Sequence, residues 1–220
     1  MRFVARLVAA ALLTAGLASP TLAQSIDAST LPYADKSGGL KATLQSYEAA
    51  KGPKALAINP NGRVRWWSNQ SSEAEASRRA LEICEFEQKS PCVLAIVGKE
   101  VRKIERTATP VSAFAGIGAT FDENKVPFLS DKNRAALAAA IAWRKQQPTQ
   151  NVMMVVIHPR GNYWAHWNDR GSAKTGRGNA LLAEADALHE CRSFTPPDKS
   201  WSPSDCLLYA QDNKVVAKLP

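Results

Sequence analysis

After its first twenty or so residues the chain has no apolar run near the ~20 residues that a bilayer span needs, so no transmembrane segment is expected. It has only four cysteines and three histidines among 220 residues, no Cys-x-x-Cys, and no pair of histidines beside a cysteine. A zinc site and a catalytic thiol therefore lack support, and no metal or other cofactor is expected. There is no phosphate loop either. Gly171–Gly178 is glycine-rich and basic, but Arg177 follows Gly176 where a lysine and then Ser or Thr are required. What the chain does have is ordinary for a globular protein: 22% charged and 45% hydrophobic residues. That balance excludes a disordered chain, a fibrous repeat and a cysteine-packed miniprotein.

The N-terminus reads as an address. Arg2 and Arg6 precede an apolar stretch from Leu7 to Leu17, Pro20 breaks it, and Thr21-Leu22-Ala23 offers small residues for cleavage. Residues 1–23 are thus a predicted secretory signal peptide. No cysteine stands at the cleavage point, which closes the lipoprotein route. Without these residues the net charge falls from +8 to +6. A modestly basic protein outside the cytoplasm can meet a protein partner or an anionic envelope component. Export removes nucleic acid as a target, and the expected location is periplasmic or secreted.

The remainder reads twice. Ala55–Trp67 and Met154–Trp167 are each an apolar run, a polar residue, Pro-x-Gly and an aromatic-rich run. Leu31-Pro32-Tyr33 or Val126-Pro127-Phe128 stands ahead, and Ala80-Leu81-x-x-Cys84 or Ala187-Leu188-x-x-Cys191 follows. Each copy then closes on a second cysteine and an apolar run, at Cys92 or Cys206. The repeat units are residues 31–101 and 126–216, joined by 102–125, whose Ala113–Gly118 is too apolar for a free linker. Leu40, Leu44 and Tyr47 have helical spacing, as have Leu137 and Ile141. Pro60-Asn61-Gly62 and Pro159-Arg160-Gly161 suit hairpin turns. Ser72 and Glu75 form a capping box that starts a second helix. The predicted fold is α+β: two tandem α-β-β-α-β units, each a small sheet with helices on one face, related by a pseudo-two-fold axis.

Four cysteines allow three pairings, and the repeat selects Cys84–Cys92 with Cys191–Cys206, one staple inside each unit. The order of strand, Pro-x-Gly, Trp, Ala-Leu-x-x-Cys and the second cysteine, with Leu208-Tyr209-Ala210-x-Asp212, resembles a small proteobacterial exported repeat domain. Ala95-Ile96 departs from it where the first copy should carry Tyr-Ala. The resemblance implies a disulfide-stapled α/β module and no known reaction.

No catalytic residue stands out. A four-residue turn at Pro159–Asn162 would pair His158 with Tyr163 and His166 with Val155. The two histidines would then face opposite ways and could not share a metal, whereas a one-residue bulge would reverse this. His189 and Glu190 are adjacent on a helix and do not face each other. The candidate ligand contacts are Arg170, Lys174 and Arg177, a basic run leading into a helix N-terminus, and Trp66, Trp164 and Trp167 on the hairpins, which suit either recognition or core packing. The expected function is a non-enzymatic binding module, with a cell-envelope hydrolase using a histidine as the alternative.

Overall fold

The computed structural model describes residues 25–102, 114, 116–146, 151–169, 177–194 and 202–217. The first unit runs α1 (Leu40–Ala49), β1 (Ala55–Ile58), β2 (Val64–Trp67), α2 (Glu73–Gln88), β3 (Val93–Val97) and β4 (Glu100–Val101). The second runs α3 (Asp131–Lys145), β5 (Asn151–His158), β6 (Asn162–Asp169), α4 (Arg177–Ser193), β7 (Leu207–Gln211) and β8 (Lys214–Val215). Both sheets are antiparallel with the same order, β2-β1-β3-β4 and β6-β5-β7-β8. The two units are similar down to their irregularities. The central strand's register shifts between Leu56 and Ala57 in one sheet and between Val155 and Val156 in the other. The entry loops hold Tyr33 and Phe128 at positive φ, and the last hairpins turn on Gly98 and Asp212, also at positive φ. Cys84–Cys92 and Cys191–Cys206 are bonded, so each unit carries its own staple between its second helix and third strand.

The structure differs from the sequence expectation in two particulars. First, the helices lie on opposite faces of each sheet. Leu56 and Ile58 pack with Leu40, Leu44 and Tyr47 of α1, while Ala55 and Ala57 pack with Ala76, Ala80 and Cys84 of α2. Val155 and Ile157 likewise meet Leu137 and Ile141 of α3, while Val152, Met154 and Val156 meet Ala183, Ala187 and Cys191 of α4. Successive strand residues point to opposite faces, so a central strand that is apolar at every position needs a cover on both.

Second, the described contacts between the units are head-to-tail rather than two-fold. The outer side of α2 packs on the entry loop of the second unit, on the start of α3 and on the β5–β6 turn. Phe86 meets Phe128 edge to face, with ring centroids 5.2 Å apart. Arg78 donates to Leu129 O at 2.8 Å, and Asp131 N donates to Glu75 Oε1 at 3.1 Å. A two-fold axis would bring the same surface from each unit; here a helix of one meets loops of the other. The segment 102–125, in its described part, belongs to the second unit. Gly118 N donates to Val215 O, Val215 N to Ala119 O, and Phe121 N to Asn213 O, so it extends that sheet alongside β8. Phe114 packs beside Phe128.

Candidate binding groove

The unit junction is built on buried charge. Ser72 caps α2 by accepting from Glu75 N at 3.1 Å, the first half of the expected capping box. The second half is redirected. Glu75 Oε2 accepts from the amide of Ser71 rather than Ser72, and its other oxygen takes the first amide of α3. Burial pushes the Glu75 carboxyl up, but the Ser71 hydroxyl, these amides and Arg79 together hold it below its ordinary range. Two turns on, Glu82 is also buried. It accepts from Phe128 N at 2.7 Å and pairs with Arg78 at 3.0 Å and Arg134 at 3.6 Å. Desolvation nevertheless raises its carboxyl above the usual value, against the pull of Arg78 and the Phe128 amide. Arg79 is brought down by burial to about 10, so it stays charged at neutral pH. Its guanidinium lies 4.0 Å from the Trp67 ring centre and donates to Arg160 O of the second unit. Gly161 is needed beside it: at φ +94° a side chain is strained, and a Cβ would come within 2.1 Å of Arg79 Nη2.

This contact sets Arg160 in the lining of a groove of about 1010 Å³ along the outer edge of β2. Lys36, Arg63, Arg65, Trp66, Trp67 and Arg160 line it, and Glu87, the one acid in the lining, is paired with Arg65. Gly38 and Gly39 also line it, and a Cβ added at either would meet nothing within 4 Å. No histidine or cysteine is among the lining residues. The cations suit an anionic ligand, and the tryptophans add apolar contact area beside them.

The four hairpin tryptophans are half-buried. Trp66 meets Tyr47 edge to face at 5.9 Å on the α1 side, and Trp67 lies under Arg79 on the α2 side, next to the unit contact. Both also line the groove. Trp164 packs against Phe194 and the Cys191–Cys206 core, and Trp167 against the α3 core. Arg170 and Lys174 lie outside the described residues, as does the side chain of Arg177, which opens α4. Sequence reading passed over Lys36, Arg63, Arg65 and Arg160. The signal was present for three of them: Arg63-x-Arg65 runs directly into the Trp pair, and Arg160 fills the Pro-x-Gly turn.

The histidines depart from the expected register. The β5–β6 turn has three residues, so His158 pairs with Asn162 and His166 with Met154. Both histidines therefore face α4, where His166 Nε2 stands 3.0 Å from Glu190. They are four residues apart along the ladder, about 13 Å, too far to share an ion. Among the described residues no group of three or more His, Cys, Asp or Glu could hold a metal. His158 pins the turn. Its Nδ1 accepts from Arg160 N at 3.1 Å and its Nε2 donates to Ser202 O at 3.2 Å. Asn59 does the same in the first unit, accepting from Asn61 N and Arg63 N while reaching Ser90. Burial depresses the His158 imidazole more than the Ser202 carbonyl and Asp205 raise it, which keeps it neutral. His189 lies 3.5 Å from Ser193 Oγ on the exposed side of α4.

No protein-family model, curated protein or solved structure matches the chain.

Proposed function

We propose that this protein is an exported, periplasmic or secreted, non-enzymatic module that binds an anionic segment of a protein or envelope partner in the groove between its units. The signal-like residues 1–23 and the two disulfides support the location. The observation that carries the binding reading is the position of Arg160. The second unit supplies it to a groove whose other cations and aromatics come from the first. The basic run Arg170, Lys174 and Arg177 is a second anionic contact on sequence grounds. The hydrolase alternative has one geometric element, the His166–Glu190 pair.

Poly-L-glutamate, titrated against the intact protein at physiological salt, tests the reading. Binding is expected, and R63E/R160E should abolish it while the melting temperature stays within about 2 °C, since both side chains are exposed. Charge reversal at Arg170, Lys174 and Arg177 alone should weaken binding without abolishing it. Retained binding in R63E/R160E would remove the groove as the site.

A further inference from the structure

Strand β2 ends its sheet, and its register fixes which of its backbone groups face outward. Asn59 N donates to Arg63 O, so Asn59 and Arg63 are a hydrogen-bonded pair. In an antiparallel ladder such pairs alternate with pairs whose N–H and C=O point away. Val64, opposite Ile58, and Trp66, opposite Leu56, therefore turn theirs into the groove. The Val64 carbonyl is already met there by Arg65 Nη1 at 2.8 Å. The Val64 N–H and both backbone groups of Trp66 have no partner among the described residues.

The side chains on this edge are sorted by face. Val64 and Trp66 join the apolar cluster on the α1 side. Arg65 and Trp67 lie on the α2 side, with Glu87 and Arg79, and Arg79 holds the carbonyl of Arg160. One face beside the free edge is thus apolar, with Trp66, and the other carries Trp67 together with Arg65 and Arg79, Arg65 sharing its charge with Glu87. An extended chain lying on this edge would present alternate residues to each.

Resting on the binding reading above, we infer that the groove takes an extended peptide of a partner protein as a fifth strand, antiparallel or parallel to β2, with acidic residues alternating with apolar ones. Main-chain hydrogen bonds to Val64 and Trp66 hold the peptide, and alternate side chains give specificity. Acidic side chains meet Arg65 and Arg160, and apolar ones lie over Val64 and Trp66. Charge complementarity selects this occupant over a basic or wholly apolar strand.

The probe is a fluorescein-labelled octapeptide alternating valine with glutamate, in three forms: unmodified, and N-methylated at every second amide in either phase. Each is titrated against the intact protein by fluorescence polarisation. One methylated phase should lose about tenfold in affinity, because its N–H groups face β2, and the other should bind like the parent. Val64→Pro should weaken the parent peptide by a similar factor, because proline is tolerated where an edge N–H faces outward. As a readout independent of any variant, the Trp66 amide should exchange about tenfold more slowly with peptide bound. Equal loss in both phases, no loss in either, or an unchanged Trp66 amide would overturn strand addition. If the peptide fails but poly-L-glutamate still binds in an Arg63- and Arg160-dependent way, the inference falls and the anion-binding function stands. If neither probe binds, both fall.

Discussion

Helices α2 and α4 occupy the same place in two units of one design, and they live in different surroundings. Aligned on Cys84 and Cys191, the sheet-facing residues agree: Ala76 with Ala183, Ala80 with Ala187, Leu81 with Leu188. The outward residues do not. Glu75, Arg79 and Glu82 are buried against the second unit, whereas Leu182, which matches Glu75, is 56% exposed. The buried outward face of α2 is fully charged, whereas the matching face of α4, Leu182, Asp186 and His189, is exposed. The unit contact is therefore recognised by directed hydrogen bonds to backbone amides and carbonyls of a loop, which apolar side chains cannot supply. A buried charge cluster of this kind fixes geometry more than it adds stability, since desolvation opposes its Coulombic gain.

The largest effect is expected where that asymmetry is greatest. Glu82→Ala leaves Arg78 and Arg134 without their shared carboxylate and orphans the Phe128 amide. It should cost about 3–5 kcal/mol, the range for removing one partner of a buried pair. His189→Ala, at the matching position of α4, should stay within about 0.5 kcal/mol. Urea unfolding of both variants at pH 7 makes the comparison. Similar losses in the two would show that α4 is as engaged as α2.

A smaller effect separates the two turn pins. Asn59 cannot titrate, and His158 can. The folded protein depresses His158, so the unfolded chain binds its proton first as pH falls. The contribution of His158 is intact above the ordinary imidazole value of ~6.5 and is lost as pH falls from there toward the depressed value. For one proton the slope cannot exceed about 1.4 kcal/mol per pH unit. Thermal melts between pH 7.5 and 5.0 should show this loss in the wild type. His158→Asn, which copies the first unit's solution, should flatten the profile. An equal slope in the variant would assign the acid sensitivity elsewhere.

Much of this fold was legible because the motifs recur in order. The Pro-x-Gly turns, the cysteine positions and the helix-like spacings located the four α-helices and the six longer strands of the described residues. The side on which each helix lies was misread, although the information was there. Ala55-Leu56-Ala57-Ile58 has no polar alternate, and all four residues are buried. The absence of alternation is itself the signal that both faces of the strand are covered. The histidine register turned on one residue: Gly161 at φ +94° closes a three-residue turn, and a slip of one moves every side chain to the other face. The groove could not be read from local pattern. Lys36, Arg63 and Arg160 are distant in sequence, and only the packing of α2 on the second unit brings Arg160 to β2.

The smallest expected effect sharpens the comparison most. Leu181 and Leu182 are 65% and 56% exposed, so replacing them transfers little apolar surface. Glutamine has nearly the helix propensity of leucine. Leu181→Gln/Leu182→Gln should therefore leave the unfolding free energy within about 0.5 kcal/mol of wild type. Glu75→Gln, at the position matching Leu182, should destabilise more than the double variant. It weakens charge-assisted bonds to the Ser71 and Asp131 amides and removes the carboxylate beside Arg79. Guanidinium denaturation of the three proteins side by side gives the order. If the leucine pair costs more than glutamine at Glu75, the outer face of α4 is packed against something, and the head-to-tail contact of the first unit has a counterpart on the second.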